Sequence, residues 1–368
     1  MNIAVDAREL SGRQTGVGRY LGALLEQWST SPDARRHQWR CFAHERIVVP
    51  AAFHDSVTIL PGVGGTRWEQ WTLPRALAPD RPALLFAPGY SAPLTAPCPI
   101  ALTVHDVSFS AHPEWFSRRE GARRRIVTAW SARRARTVLT DSNFSRDEIV
   151  RHLGIPVSKI RVIPLGIAPS WRLMADEGLP RPREPIVLFV GSIFRRRHVD
   201  KLIAAFVESV AGRVPHSRLE VVGENRTYPL ADPAVLLRDC PRDIAARVTV
   251  RSYVDDATLR DLYGRASVFA FLSEYEGFGL TPLEALAAGV PSVVLDTPIA
   301  REIYGDAARF VDADLSDPVP LAHALVEMLT DAPARWAVLA KAEAVLERYD
   351  WTRTAAQTLR ALEDAAGT

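Results

Sequence analysis

The chain has 368 residues, 47% of them hydrophobic and 24% charged, and its formal net charge is +2. This length favours two domains over one, and a charge so close to zero argues against a nucleic-acid partner. The three cysteines, Cys41, Cys98 and Cys240, are too far apart in the sequence to indicate a disulfide framework or a zinc site. We therefore expect no metal and no cofactor.

The sequence carries no pattern typical of a leader or a membrane span. Its first residues, MNIAVDAREL, lack the long apolar run of a signal peptide. No apolar stretch approaches the roughly 20 residues that a transmembrane helix needs. Both features predict a cytoplasmic protein.

In the first half of the chain, short apolar runs alternate with stretches of helical periodicity. Near-continuous apolar runs are typical of strands that are buried on both faces of a parallel sheet. The alternation therefore predicts a doubly wound α/β domain. The predicted strands span residues 2–5, 40–43, 56–60, 83–86, 100–104, 137–139 and 161–163, and the predicted helices span 17–28, 67–77, 113–134 and 145–153.

A proline-rich stretch, residues 169–185, interrupts this rhythm, so we predict an interdomain linker there. The alternation then resumes and predicts domains 1–168 and 186–348, followed by a C-terminal helical segment, 349–368. Open α/β sheets bind ligands at the carboxyl ends of their strands, so two such domains with a cleft between them favour a two-substrate enzyme. Strands are predicted at 186–190, 219–222, 248–251, 267–272 and 292–295, and helices at 199–211, 256–265, 282–288, 320–329, 332–348 and 352–366.

The most informative segment follows the predicted strand 267–272. A loop leads into a helix for which Thr281 is the predicted N-cap and Pro282 the first residue, and Gly289 is predicted to end that helix. Backbone N–H groups at such a helix start, together with the positive end of the helix dipole, favour a diphosphate. We therefore predict donor binding by the residues of the loop, which are Gly277, Phe278, Gly279 and Leu280.

Two glutamates, Glu276 and Glu284, bracket this predicted phosphate site. A nucleotide sugar carries hydroxyls on both sides of its diphosphate, and carboxylates form strong hydrogen bonds with hydroxyl groups. The pair therefore predicts a site for a nucleotide sugar. Two alternatives stay open: Glu284 could close a capping box with Thr281, and Glu276 could have a solvated or hinge role.

The whole segment, E-G-F-G-L-T-P-L-E-A-L-A-A-G-V-P, resembles the Glu-x7-Glu signature of the retaining, family 4 (group 1) glycosyltransferases of GT-B fold. The resemblance covers nearly the full length. It implies two Rossmann-like domains, the first binding the acceptor and the second the donor, and a terminal helix that crosses back to the first. Further similar stretches are T-G-V-G-R-Y at 15–20, T-V-H-D at 103–106, T-D-S-N-F-S at 140–145, I-P-L-G-I at 163–167 and V-G-S-I-F-R-R-R-H at 190–198.

The resemblance also implies roles for individual residues. Arg196 and Arg197 follow the predicted strand 186–190 and would clamp the diphosphate and stabilise its charge. The family has Arg and Lys here, so Arg197 is a departure. His105 would contact the donor sugar near its 6-position, and with Glu276 these residues form the predicted catalytic group. A solvated charge run for the arginines and a structural role for the histidine stay open.

Weaker candidates lie in other loops. Gly16 and Gly18 precede a predicted helix, and by resemblance their loop approaches the donor phosphates or the acceptor, with an ordinary tight turn as the alternative. Tyr253 and Val254 follow a predicted strand and resemble the base-binding stretch of the family, with a packed aromatic as the alternative. The motif D-A-D at 312–314 comes too late in the chain for a metal-binding D-x-D and is predicted to be a loop.

The stretch between Arg118 and Arg136 contains eight arginines, with Trp115, Ile126 and Trp130 at helical spacing. A helix of this composition can lie on an anionic membrane surface, which would make the protein peripheral on the inner face of the membrane. The alternative is an arginine-rich solvated face whose aromatic residues belong to the core.

The resemblance implies a retaining glycosyltransferase that moves a hexose from a nucleotide diphosphate sugar, GDP-mannose or a UDP-sugar, to a glycan or lipid-linked acceptor in surface polysaccharide synthesis. No carboxylate is placed as a nucleophile, so front-face displacement is expected, with the departing phosphate deprotonating the acceptor. One alternative is a non-catalytic protein that binds sugar nucleotides or a membrane surface. Another is a nicotinamide-dependent dehydrogenase, although the loop with Gly16 and Gly18 lacks the third glycine of G-x-G-x-x-G.

Overall fold

The structure, a computed structural model, describes residues 1–12, 15–171 and 183–367 of the chain. The described residues divide into two compact units. Unit 1 contains Met1–Pro113, Arg118–Gly166 and Tyr349–Thr368, and unit 2 contains Glu114–Ser117 and Ile167–Arg348. Most of the predicted linker, at 172–182, lies outside the described residues.

Unit 1 is built on a parallel sheet. Within the described residues, its seven strands follow the order β3-β2-β1-β4-β5-β6-β7, and all neighbouring pairs are parallel. The order reverses between β1 and β4, and doubly wound folds bind their ligands where such a reversal occurs. The strands are β1 Asn2–Asp6, β2 Gln38–Ala43, β3 Val57–Ile59, β4 Leu84–Ala87, β5 Ile100–Thr103, β6 Thr137–Thr140 and β7 Ile160–Val162.

Unit 2 contains a second parallel sheet. Its six strands in the described residues follow the order β10-β9-β8-β11-β12-β13, so the reversal lies between β8 and β11. The loop after β8 carries Arg197 and the loop after β11 carries Glu276. The fold therefore brings the two parts of the predicted phosphate site to one edge of one sheet. The strands are β8 Glu184–Val190, β9 Arg218–Val222, β10 Val248–Arg251, β11 Ala266–Phe271, β12 Ser292–Leu295 and β13 Arg309–Val311.

Helices follow most of the strands, which confirms the predicted doubly wound α/β class with two Rossmann-like domains. The helices of unit 1 are Gly16–Thr30, Leu73–Leu77, Ser108–Ala111, Arg118–Arg134, Asn143–Leu153 and Trp351–Gly367. Those of unit 2 are Val199–Ala205, Ala211–Arg213, Arg242–Ala245, Asp256–Arg265, Leu280–Ala287, Pro298–Tyr304, Val319–Thr330, Ala332–Leu339 and Ala342–Leu346. Two π-helical turns, Trp68–Thr72 and Phe206–Val210, continue neighbouring helices.

Several predicted boundaries are wrong. The helix predicted at 113–134 begins at Arg118, because Pro113–Trp115 forms a separate 3-10 turn and the ring of Trp115 packs against unit 2 residues. The helix predicted at 332–348 is two helices, Ala332–Leu339 and Ala342–Leu346. Strand β13 and the helix Pro298–Tyr304 were not predicted, because elements this short show little periodicity.

The C-terminal helix Trp351–Gly367 packs within unit 1. The indole Nε1 of Trp28 donates to the carbonyl of Ala355 at 3.0 Å, and Thr354 Oγ1 donates to the carbonyl of Pro164 at 2.7 Å. A Cβ added at Gly166 would lie 2.3 Å from the backbone nitrogen of Trp351. The chain therefore leaves and re-enters unit 1 along two segments whose backbones touch, and only glycine fits at this contact.

Candidate functional site

The loop after β8 is held close to the end of β9. A Cβ added at Gly223 would lie 1.8 Å from the carbonyl oxygen of Gly191, so no larger residue fits without moving one of these strand ends. The backbone nitrogen of Gly191 donates to the carbonyl of Val222 at 2.9 Å. This close approach fixes the start of the loop that leads to the arginines.

Arg196 and Arg197 lie in a 3-10 turn, Arg195–Arg197, directly after this loop. Arg196 is only 9% exposed, and its Cζ lies 4.2 Å from the ring centre of Phe194 and 5.7 Å from that of Trp115. Its Nε donates to the carbonyl of Tyr275 at 3.2 Å. Burial between two aromatic rings excludes the alternative that Arg196 belongs to a solvated charge run, and the hydrogen bond from its Nε joins it to the loop after β11.

Arg197 forms an ion pair with Glu276. Its Nε donates to Glu276 Oε1 at 2.7 Å, and its Nη1 donates to the carbonyl of Ser192 at 3.0 Å. The hydroxyl of Ser273 donates to the same Oε1 at 2.8 Å. Burial alone would raise the pKa of Glu276, but the charges of Arg197 and Arg196 and these two hydrogen bonds outweigh it and hold the pKa below its usual range. Glu276 is therefore a carboxylate with a fixed orientation.

The helix after this loop begins differently from the prediction. It spans Leu280–Ala287, and its N-cap is Gly279, with φ of 93°. Because Gly279 enters the helix in a left-handed conformation, Thr281 lies inside the first turn. The capping box between Thr281 and Glu284 is therefore wrong, and Glu284 is a buried residue of the helix, 5% exposed. At the other end, Gly289 has φ of 72° and ends the helix as predicted.

Tyr304 holds the start of this helix and was not predicted as a site residue. Its hydroxyl donates to the carbonyl of Gly279 at 2.9 Å, and the side chain is buried in the described fold. A Cβ added at Gly279 would lie 2.3 Å from the same hydroxyl oxygen. Glycine and tyrosine therefore fit each other, and the backbone N–H groups of the first helical turn are fixed in place. No local sequence pattern points to Tyr304, because its contact lies 25 residues away.

In unit 1, His105 follows β5 and is nearly buried. Its Nδ1 lies 2.7 Å from Asp141 Oδ2 and its Nε2 lies 3.0 Å from the carbonyl oxygen of Pro88. The rings of Tyr20 and Tyr90 pack against the imidazole in edge-to-face geometry, at centroid distances of 5.0 Å and 5.7 Å. Both ring nitrogens therefore have partners within unit 1.

The glycines of the first loop are placed differently from the prediction. Gly16 and Gly18 lie in the first turn of the helix Gly16–Thr30 rather than before it, and Thr15 is its N-cap residue. Because both glycines lie within this helix, the tight-turn alternative is wrong as well. Tyr253 and Val254 follow the edge strand β10, and Tyr253 is 61% exposed, which excludes the packed-aromatic alternative.

The D-A-D motif lies in a loop, as predicted, and Asp312 Oδ1 accepts a hydrogen bond from the backbone nitrogen of Asp314 at 2.9 Å. Across residues 1–12, 15–171 and 183–367, His, Cys, Asp and Glu form no group of three that could hold a metal ion. In the same ranges, no helix is both long and apolar enough to cross a membrane.

The arginine-rich helix Arg118–Arg134 exposes apolar side chains. Ile126 is 59% exposed and Trp130 is 60% exposed, so the alternative that placed these aromatic positions in the core is wrong for Trp130. Near the start of the helix, Arg123 and Arg124 both pair with Glu120 at 2.7 Å. The helix therefore presents apolar and cationic groups on its solvent side.

Known proteins resemble the chain along most of its length. A family model described as "Glycosyltransferase Family 4" matches residues 15–171, and one described as "Glycosyl transferases group 1" matches residues 173–343. The chain is 27% identical over 276 residues to O-antigen chain mannosyltransferase B of Escherichia coli. The aligned region covers 70% of this chain and 68% of that protein. It is 31% identical over 194 residues to phosphatidyl-myo-inositol mannosyltransferase of Mycolicibacterium smegmatis, covering 52% of this chain and only 48% of that protein.

Among solved structures, the chain is similar to Anabaena Alr3699/HepE in complex with UDP and glucose. The TM-score is 0.73 at 18% identity, over 99% of this chain and 100% of the other. A likeness at this identity establishes the fold, and the two matching family models establish the family. The chain belongs to the group 1 glycosyltransferases of GT-B fold.

Proposed function

We propose that the chain is a retaining glycosyltransferase that moves a hexose from a nucleotide diphosphate sugar to a glycan or lipid-linked acceptor. The observation that carries the proposal is the partly buried ion pair of Arg197 and Glu276 beside the helix start at Gly279, at the strand-order reversal of unit 2. This edge offers cations, backbone N–H groups and a fixed carboxylate, which are the groups that a diphosphate and a sugar hydroxyl need.

Each of these groups has a role in the proposed reaction. The diphosphate lies at the start of the helix Leu280–Ala287, where Arg196 and Arg197 balance its charge, and the loop residues Gly277, Phe278 and Gly279 enclose it. Glu276 binds hydroxyls of the hexose, and Glu284 binds the ribose. Of the more distant candidates, we assign His105 to a sugar hydroxyl, Tyr253 and Val254 to the base, and Gly16 and Gly18 to the phosphates or the acceptor.

Retention of configuration follows from front-face displacement in this proposal. The bond between the anomeric carbon and the diphosphate oxygen breaks, and the acceptor oxygen bonds to the same face of that carbon. The acceptor proton passes to the departing phosphate oxygen. In this proposal Glu276 orients the sugar and does not form a covalent intermediate, and Arg197 and Ser273 fix its orientation by holding one of its oxygens. The protein acts by positioning and by electrostatic stabilisation of the leaving diphosphate.

The relatives support two donors. The names of the matched mannosyltransferases favour a mannose donor, for which we propose GDP-mannose, and the UDP-bound structure favours a UDP-sugar. A thermal-shift panel of GDP-, UDP- and ADP-sugars separates these, because a ligand at about 100 times its Kd raises the unfolding free energy by roughly 2.7 kcal/mol. NADH and NADPH belong in the same panel as a test of the dehydrogenase alternative. A shift with a nicotinamide cofactor and with no nucleotide sugar contradicts the proposal.

Replacing Tyr304 with Phe should weaken donor binding by about three- to tenfold, since one hydrogen bond contributes roughly 1 kcal/mol. The variant removes only the hydroxyl that holds the carbonyl of Gly279. The measurement is the donor KM or Kd. Tyr228→Phe, at an exposed tyrosine of the same unit, is the matched control and should leave donor affinity unchanged. An unchanged affinity in Tyr304→Phe excludes this role for the hydroxyl.

We further propose that the helix Arg118–Arg134 contacts an anionic membrane surface. In the proposed reaction, this membrane supplies the lipid-linked acceptor. The exposed Ile126 and Trp130 of the helix would enter the interface while the arginines bind anionic headgroups. Replacing both residues with Ser should weaken binding to phosphatidylglycerol vesicles about tenfold or more, because two apolar side chains are no longer buried. The measurement is vesicle co-sedimentation.

Trp336→Ser is the matched control, because Trp336 is 72% exposed and lies in unit 2. It should bind the vesicles like the unaltered protein. High salt should also release the protein from the vesicles. If the unaltered protein does not bind anionic vesicles at low salt, the membrane proposal is wrong.

A further inference from the structure

Both ring nitrogens of His105 face oxygen atoms. Nδ1 lies 2.7 Å from Asp141 Oδ2, and Nε2 lies 3.0 Å from the carbonyl oxygen of Pro88. A carbonyl oxygen only accepts hydrogen bonds, so the proton of this second contact must belong to Nε2. The histidine is therefore either an imidazolium beside an Asp141 carboxylate or the Nε2–H tautomer beside a protonated Asp141. In both states Nε2 is a hydrogen-bond donor.

The fold places Asp141 beside His105, where its carboxyl group influences the protonation of the ring. Asp141 follows β6, the neighbour of β5, so the carboxylate and the imidazole meet at adjacent strand ends. Asp141 is 3% exposed, and the next residue, Ser142, caps the helix Asn143–Leu153. From the same helix, the hydroxyl of Ser145 donates to the backbone carbonyl of His105 at 3.0 Å. The segment from Asp141 to Ser145 thus fixes both the ring and the backbone of His105.

Two acidic side chains lie close enough to the ring to act on its charge. Asp141 and Asp106 act on it electrostatically, and the hydroxyl of Tyr90 donates to Asp106 Oδ2 at 2.9 Å. Burial alone would lower the pKa of His105, but the charge of Asp141 and the hydrogen bonds from the ring outweigh it and raise the pKa. Burial also raises the pKa of Asp141. The pair therefore shares one proton and keeps it as the pH rises. The ring of Tyr20 also packs against the imidazole.

We infer that Asp141 is a positioning residue that keeps His105 Nε2 a hydrogen-bond donor, so His105 offers a proton-bearing nitrogen to its ligand and does not act as a general base. This inference deepens the role of His105 in the proposed function and rests on it for the ligand. The ligand atom is a hydroxyl oxygen of the donor hexose, which would replace the carbonyl of Pro88 as the acceptor for Nε2–H. No bond to hydrogen breaks in this exchange.

Two-dimensional ¹H–¹⁵N NMR of the imidazole groups tests the protonation state without any substrate. In the unaltered protein, Nε2 of His105 should remain protonated above pH 6.5, where an ordinary imidazole has lost its charge. In Asp141→Asn the acidic partner is absent, so His105 should titrate near or below the ordinary value of about 6.5. Asp147→Asn, at an exposed aspartate of the following helix, is the matched control and should leave the resonances of His105 unchanged.

An unprotonated Nε2 in the unaltered protein overturns the inference. This measurement uses only the unaltered protein, so it does not depend on whether a variant folds. Identical titration in the unaltered protein and Asp141→Asn overturns it as well. In the transfer assay, Asp141→Asn should lower kcat about tenfold and make it fall between pH 6 and 8, where the unaltered enzyme is flat. If the protein transfers no sugar but the resonances behave as expected, the proposed function fails and the assignment of the proton stands.

Discussion

Replacing Glu276 with Gln should lower the rate of sugar transfer by a factor of about 100 or more, which is the usual cost of removing one preorganised electrostatic group from an active site. Gln keeps the shape of the side chain and removes its charge. Arg197 then loses the carboxylate that orients it at 2.7 Å, while its bond to the carbonyl of Ser192 remains. The measurement is the initial rate at saturating donor, with folding verified by circular dichroism.

Glu327→Gln is the matched control, because Glu327 also pairs with an arginine of unit 2, Arg309, at 2.7 Å. It should retain the unaltered rate. A rate for Glu276→Gln within about threefold of the unaltered enzyme contradicts the proposed role of this carboxylate, since an electrostatic contribution that small is below about 1 kcal/mol. Equal losses in both variants would instead indicate a general effect of breaking an ion pair.

Replacing Gly166 with Ala should destabilise the protein by more than about 3 kcal/mol, because the new Cβ has no space and neither neighbour is a flexible side-chain end. It would lie 2.3 Å from the backbone nitrogen of Trp351 and 2.6 Å from its Cα. The C-terminal segment would have to move away from unit 1, which also threatens the hydrogen bond from Thr354 to the carbonyl of Pro164. The measurement is denaturant unfolding or the melting temperature.

Gly264→Ala is the matched control. Gly264 lies in the helix Asp256–Arg265, and a Cβ added there meets no atom within 4 Å. Alanine favours a helix by up to about 1 kcal/mol over glycine, so this variant should be unchanged or slightly more stable. If Gly166→Ala melts within about 2 °C of the unaltered protein, the described contact between the two segments is wrong.

The parallel sheets could be predicted from the sequence because their strands are continuous apolar runs. Strand β10 and the helix Asp256–Arg265 have the predicted bounds, 248–251 and 256–265. The two family models confirm the resemblance that was drawn from the motif of Glu276 and Glu284. These features are local in sequence, so a short window contains the information that specifies them.

The contacts that organise the site could not be predicted, because they join distant parts of the chain. Tyr304 supports Gly279, Asp141 holds His105, and Trp115 reaches Arg196 from a segment that precedes it by about 80 residues. The N-cap was misplaced for a different reason. Thr281 has the usual N-cap chemistry, but Gly279 is the N-cap and the helix begins at Leu280. The left-handed conformation of Gly279 depends on the three-dimensional loop, so the local sequence does not reveal it.

We expect the chain to transfer a hexose from a nucleotide diphosphate sugar with retention of configuration. NMR of reactions with the GDP-, UDP- and ADP-sugar panel, each with a mixture of glycan and lipid-linked acceptors, measures this directly. We predict that at least one α-linked donor is consumed, that nucleoside diphosphate is released, and that the new anomeric signal, or that of the free sugar formed first by hydrolysis, is α. Release with an initial β signal contradicts retention, and consumption of no donor contradicts the claim itself.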